Sequence, residues 1–212
     1  MTRLRVLGNS CLELVDSSHH IIIDPVYSVN PKKGIDTILI THEHDDHLDM
    51  KYINEIKEEY AQSKQELKIY APKPSQKKMI QAGWTDGIKV IDQDLMILQE
   101  DASFSVEAMK INCYKAKACY SFRLSSGNIH ILHTADAVEF TQKLRKYNNS
   151  IDYCFISCFE DYFENYLQFV KDLRAKMIYP YHFRKGKNEF AKRLAEFLKK
   201  NEINSKFIKI GT

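Results

Sequence analysis

Nowhere in the 212 residues do about 18 apolar positions follow one another without a charge, so the sequence offers no membrane-spanning segment. The opening Met1-Thr2-Arg3-Leu4-Arg5-Val6-Leu7-Gly8 has no apolar run behind its charges, so no secretory signal is expected. An excess of one charge sign is also missing: 31 basic and 28 acidic side chains leave +3, too little for a nucleic-acid wrapper. Five cysteines (Cys11, Cys113, Cys119, Cys154, Cys158) are scattered with no CxxC pair, which reads as a reduced, cytoplasmic chain and not a disulfide framework. There is no low-complexity tract, linker or clear repeat, and 44% of the residues are hydrophobic. That excludes disorder and is ample for a core without staples. One domain over 1–212 is expected.

Strand and helix patterns alternate along the chain. Arg3–Leu7, Cys11–Val15, Ile21–Asp24 and Asp36–Thr41 read as strands, the last apolar on both faces like a central strand. A helix is predicted from Leu48 to about Gln65, with Leu48, Ile53, Ile56 and Tyr60 on one stripe. Lys68–Tyr70 reads as a strand, and a short helix starts at Pro74 and stops at Gly83. Ile88–Ile91, Leu95–Leu98, Phe104–Met109, Tyr120–Leu124 and Ile129–His133 form a strand-rich middle, the last two joined by a hairpin turn at Ser125-Ser126-Gly127-Asn128. Then come a strand over Ile151–Ser157, a helix over Tyr162–Lys176, a strand over Met177–Pro180, a helix over Asn188–Asn201 and a strand over Lys206–Ile210. Tyr166, Leu167, Val170 and Leu173, and Phe190, Leu194, Phe197 and Leu198, mark the buried faces of those helices. This order fits an α/β, four-layer αββα sandwich.

The chemistry concentrates in Thr41-His42-Glu43-His44-Asp45-Asp46-His47, directly after a buried strand and before an amphipathic helix. Three imidazoles and a carboxylate within six residues make a donor set suited to zinc, manganese or iron. From the chain's own His and Asp frequencies, His-x-His-x-Asp-His arises by chance in about one such chain in a thousand. On a helix His42 and His47 would face different ways; an irregular turn lets them converge. Glu43 and Asp45 add negative potential without acting as ligands. Asp136, after the strand Ile129–His133, and His182, after Met177–Pro180, stand at later strand ends. Taken alone, Asp136 reads better as a helix N-cap and His182 as a partly buried histidine; together with the histidine turn they read as further ligands, because three strand ends can meet at one edge of a sheet. His133 reads as a core histidine, while His19, His20 and His130 are expected at the surface.

Spacing and context resemble the metallo-β-lactamase-fold hydrolase superfamily. Leu7-Gly8-Asn9-Ser10 and Ile21-Ile22-Ile23-Asp24-Pro25 are similar to the branch of ascorbate-6-phosphate lactonase, and the resemblance runs from Arg5 to Ile210. It implies one or two metal ions, zinc or else manganese or iron. His42 and His44 would hold the first metal and Asp46 and His47 the second, with Asp136 bridging and His182 completing the second. The resemblance further implies that a hydroxide between the metals, oriented by Asp46, attacks the substrate.

Four features depart from that pattern. The family's third histidine for the first metal belongs between the Phe104 and Tyr120 strands, and residues 110–119 contain none. Either Cys113 or Asn112 substitutes, or the first site is weak or empty. Ala135 stands where a glycine usually precedes the bridging Asp, with Ala137 after it, and Asn9 stands where a histidine is common. Lys115 and Lys117, with Arg184 and Lys185 after His182, read either as substrate-binding groups for a phosphate or carboxylate or as ordinary solvated side chains. The leading expectation is a metal-dependent hydrolase of a small anionic ester, lactone or phosphodiester. The alternatives are a degenerate, non-catalytic metal- or ligand-binding protein and, with less support from charge and length, a nuclease. The expected partner is a small molecule, with no membrane and no nucleic acid.

Overall fold

A computed structural model describes residues 2–85 and 87–212. The chain divides into two compact units, Met1–Asp92 with Ala116–Ala118 and Lys209–Thr212, and Gln93–Lys115 with Cys119–Ile208. Each carries one six-stranded mixed sheet whose strands lie side by side in chain order. Among the described residues no helix is long and apolar enough to cross a membrane.

In the first unit β1 (Arg3–Gly8), β2 (Cys11–Val15) and β3 (His20–Ile23) pair antiparallel. β4 (Thr37–Leu39), β5 (Lys68–Pro72) and β6 (Ile88–Ile91) then add parallel. The register slips between Val6 and Gly8, and Gly8 lies at φ +117 with the place of a Cβ only 2.7 Å from the Ser28 hydroxyl. Only glycine fits that turn. β4 is buried throughout, as its two-sided apolarity requires.

The helix predicted over 48–65 is shorter and not uniform. α1 (Met50–Glu55) runs into a π-helical turn over Ile56–Tyr60, and at Ala61 the backbone becomes extended. The carbonyl of Tyr60 accepts the N–H groups of Gly34 and Ile35, and Ala61 bridges Ile35, which draws the chain out of the helix. The predicted stripe Leu48, Ile53, Ile56 and Tyr60 is nonetheless in the core, where Met79 of α2 (Lys73–Gln81) joins it.

In the second unit β7 (Leu95–Glu100), β8 (Phe104–Ile111), β9 (Cys119–Ser126) and β10 (Ile129–His133) form an antiparallel meander. After α3 (Gln142–Arg145), β11 (Tyr153–Ser157) and β12 (Met177–Tyr181) extend it parallel, with α4 (Phe163–Leu173) between them and α5 (Glu189–Lys200) following. The α4 face is buried as predicted, each large apolar side chain contributing about 1.5–3 kcal/mol. On α5 the face is rotated. Ala191, Leu194, Ala195 and Leu198 are buried while Phe190 is 48% exposed, because two alanines already fill that side.

Four further expectations are corrected. Lys206–Ile210 is not a strand: Ser205 makes one bridge to Ile178, and Gly211 N–H instead donates to Val6. His20 is buried, its ring 3.0 Å from the Glu13 carboxylate. His130 is half-buried rather than solvated, within hydrogen-bond distance (2.9 Å) of Ser125. Cys113 and Cys119 form a disulfide, against the reduced reading of the composition. Pairing of Ile111 with Cys119 at the end of β8 and β9 brings the two Cα atoms to 6.0 Å, a normal bridging separation that spacing alone does not reveal. Titration of the unfolded chain with a thiol reagent should accordingly count three thiols (Cys11, Cys154 and Cys158) before reduction, and all five cysteines after it. A count of five without reductant would refute the bond.

Candidate metal centre

In each unit the chemically interesting residues follow the carboxyl ends of strands in the parallel part of the sheet, where chain direction reverses and side chains project into open space. In the first unit these ends are those of β3, which leads to Asp24, and β4, which leads to Thr41 and the histidine turn. Asp24 sits in the left-handed region at φ +49 and is fully buried. Its carboxylate accepts the backbone N–H of Thr41 at 2.8 Å and the Thr41 hydroxyl at 2.7 Å, and lies 2.7 Å from His47 Nδ1.

These contacts settle where two imidazole protons reside. A carboxylate only accepts, so His47 carries its proton on Nδ1 and presents a lone pair at Nε2. Thr41 has one hydroxyl proton, already given to Asp24, so its oxygen accepts from His42 Nδ1 at 2.9 Å. His42 therefore also presents a lone pair at Nε2. Both rings are fully buried, and their centroids are 3.9 Å apart. His42 Nε2 is 3.0 Å from Nδ1 of the half-buried His44. That is close to the roughly 3.3 Å between two nitrogens sharing one tetrahedral zinc with bonds near 2.05 Å. Asp46 Oδ1 is 3.9 Å from His47 Nε2.

The turn is held from outside. The His44 carbonyl accepts from His47 and Leu48 N–H, while Asn9 and Ser10 side chains both donate to the Asp46 carbonyl, at 2.7 and 2.8 Å. Asn9 thus anchors the turn by its amide at the position where a histidine is common. Lys78 of α2 donates to the carbonyls of Glu43 and Leu48 and to the Asp45 carboxylate. Glu43 Oε1 accepts Lys117 N–H at 2.7 Å. One oxygen of Glu43 and one of Asp45 thus meet the lysine segments.

In the second unit β10 leads to Asp136 and β12 to His182. Asp136 lies in a turn that no helix follows directly, so it is not an N-cap. Ala135 at φ +49 explains why glycine is usual there. Tyr181 hydroxyl donates to the Ala135 carbonyl at 2.8 Å, and Ala137 bridges Cys113, fixing the turn on both sides. His182, itself left-handed at φ +66, brings Nε2 to 3.3 Å from Asp136 Oδ1. A nitrogen and an oxygen donor thus stand side by side. Cys158, whose thiol donates to the His182 carbonyl, has its pKa pushed up to about 12 by burial and secondarily by Asp136, so it is no nucleophile. His133 is a core histidine, as expected, its ring tilted against that of Tyr181.

Cys113 is tied to Cys119 by the disulfide, and Asn112 is exposed. Lys115 lies over the Tyr114 ring, Arg184 and Lys185 are exposed on a turn, and Lys117 lines a cavity with Glu43. Asp24, Thr41 and Lys78 carry roles that motif reading passed over; the Asp-Pro after an apolar strand was the available signal for the first.

Residues 3–182 match the family model described as the beta-lactamase superfamily domain. The chain belongs to that family. Among solved structures it is similar to a protein of Parabacteroides distasonis assigned as a metal-dependent hydrolase, with 23% identity, 97% of this chain and 92% of that one covered, and TM-score 0.74. It is also similar to isothiocyanate hydrolase from Delia radicum gut bacteria, at 14% identity, 100% and 98% coverage and TM-score 0.72. CmlA, a diiron β-hydroxylase from Streptomyces venezuelae, gives 15% identity over 99% of this chain and 53% of that one, with TM-score 0.73. These likenesses establish the α/β fold of the superfamily and do not single out the lactonase branch. No curated protein matches the sequence.

Replacing Asp24 by alanine strands the Thr41 N–H, the Thr41 hydroxyl and the His47 ring in a dry interior. The expected loss is about 3–5 kcal/mol in urea unfolding, the range for breaking a buried charged network. Lys78→Met, at the half-exposed outer side of the turn, should cost about 1–2 kcal/mol. Equal losses would contradict the central place given to Asp24.

Proposed function

We propose that the chain is a metal-dependent hydrolase whose cations are held by His42, His44, Asp46, His47, Asp136 and His182, with zinc the first candidate and manganese or iron the alternatives. The observation that carries this reading is that His47 Nδ1 lies 2.7 Å from the Asp24 carboxylate and His42 Nδ1 2.9 Å from the Thr41 hydroxyl, from which their protons are assigned. Each Nδ1–H is committed to an acceptor, Asp24 or Thr41, so that each Nε2 is a ligand atom with its ring orientation already set, the arrangement typical of metal-binding imidazoles. A divalent cation bound there supplies Lewis acidity and ionises a water near neutral pH.

The chain's own groups do the rest. Asp46, its carbonyl pinned by Asn9 and Ser10, would accept a proton from the attacking water. Asp136 would supply a second carboxylate to the cation, from a turn fixed by Tyr181 and Ala137. The substrate is a small anionic ester, lactone or phosphodiester; the near-neutral charge of +3 argues against nucleic acid. A second reading, a non-catalytic metal or ligand binder, draws on residues 110–119, which contain no histidine and hold Cys113 in a disulfide.

Protein reconstituted in turn with zinc, manganese and iron should retain at least one equivalent, and His47→Ala or Asp136→Ala should lose it. Less than a tenth of an equivalent with all three metals would refute the proposal. Asp24→Asn, which keeps the shape but weakens the acceptor, should reduce metal affinity by about 10–100-fold in a chelator competition. Across lactones, thioesters, phosphodiesters and nitrophenyl esters, at least one should turn over, with activity lost in His182→Ala. Full metal binding without any turnover would favour the non-catalytic reading.

A further inference from the structure

A cavity of about 610 Å³ in the first unit is lined by Glu43, Lys73, Pro74, Lys77, Lys78, Gln81 and Lys117. Four ammonium groups against one carboxylate is an unusual lining, and their commitments differ. Lys78 is neutralised: its three donors go to Asp45 and to two carbonyls. Lys73, Lys77 and Lys117 have no acidic partner among the described residues. Lys73 and Lys77 stand one helical turn apart on α2, an arrangement of like charges that weakens a helix. Lys73 also occupies the first turn, where the helix dipole disfavours a cation, and no acidic residue is present there. Local stability gives no reason for this arrangement; an anion seated among the three ammonium groups would relieve all of these repulsions.

Glu43 refines the chemistry. One oxygen accepts Lys117 N–H, whereas the other, Oε2, is buried with no hydrogen-bond partner. Three positive charges against one negative leave the lining two charges positive, matched by a dianion. Ammonium groups are point charges without the planar fork that selects a carboxylate, so they suit a tetrahedral oxyanion reached from several sides. The buried Glu43 oxygen is an acceptor for a ligand hydroxyl.

We propose that this cavity binds the phosphate of a hydroxyl-bearing phosphate ester, with Lys73, Lys77 and Lys117 around the phosphoryl oxygens and Glu43 accepting from a hydroxyl. Glu43 lies between His42 and His44 in the chain, so the ester would be held beside the histidine turn. As a statement about substrate class it rests on the hydrolase reading; as a statement about binding it does not.

The experiment is calorimetric titration of the full-length protein with glycerol phosphate and with inorganic phosphate, both as purified and after removal of metal by a chelator. Lys73→Gln/Lys77→Gln should weaken glycerol phosphate binding five- to tenfold in both metal states. Lys171→Gln/Lys199→Gln, which removes the same charge from exposed positions on α4 and α5, should change it less than twofold. Glu43→Gln should narrow the preference for glycerol phosphate over inorganic phosphate. Absence of binding by the parent protein, equal weakening in both double variants, or unchanged binding in Lys73→Gln/Lys77→Gln would overturn the proposal. Failure of the hydrolase reading would instead show as missing turnover or missing metal, with phosphate binding intact.

Discussion

One buried carboxylate organises the histidine turn. Asp24 has no exposure to water, and an isolated charge there would be strongly unfavourable, so it must be fully satisfied by donors. Those donors are the backbone and hydroxyl of Thr41 and the Nδ1 of His47. Because Thr41 spends its proton on Asp24, His42 is forced to donate in turn. A single acceptor therefore sets the protonation of two rings and aims both Nε2 atoms, before any ligand arrives. Polar networks of this kind rigidify a site when complete and disrupt it when one member is missing.

The second unit reaches a comparable result by different means. Asp136 and His182 are brought to 3.3 Å by the ends of β10 and β12, the two strands that flank β11, and the turn around Asp136 is fastened by a tyrosine hydroxyl and a bridge to Cys113. In both units an antiparallel stretch, of three strands in the first and four in the second, gives way to parallel pairing, and the donor residues come just beyond strands at or past that change. The sheets share a strand order of simple succession although no sequence repeat announces it.

How much of this is legible in the sequence depends on range. The histidine turn is a local pattern, and so are the α4 stripe and nearly every strand. Asp136 and His182 are recognisable by their place after apolar strands. What escapes is whatever a distant partner decides. The helix after the turn is unwound at Tyr60 by hydrogen bonds to Gly34 and Ile35, and His20 is buried by a carboxylate on the next strand. The α5 face is set by two alanines that a search for large apolar residues overlooks. The disulfide follows from strand register, which six-residue spacing does not encode. Asp24 illustrates the same limit: its side chain serves residues 17 and 23 positions away, and the Asp-Pro after an apolar strand marks the residue without disclosing those partners.

Several residues around the two donor groups, Asn9, Asp24, Ala135 and His182, occupy left-handed backbone. For non-glycine residues this conformation is disfavoured by about 1–2 kcal/mol each, although asparagine, aspartate and histidine tolerate it better than most. Position 182 therefore answers to two masters. A library selected for thermal endurance would drift there toward glycine or asparagine, whereas one selected for the metal-binding role proposed for this residue would keep histidine. Divergence of the two pools at that codon would report, without any assay of turnover, what the backbone concedes to keep an imidazole in place.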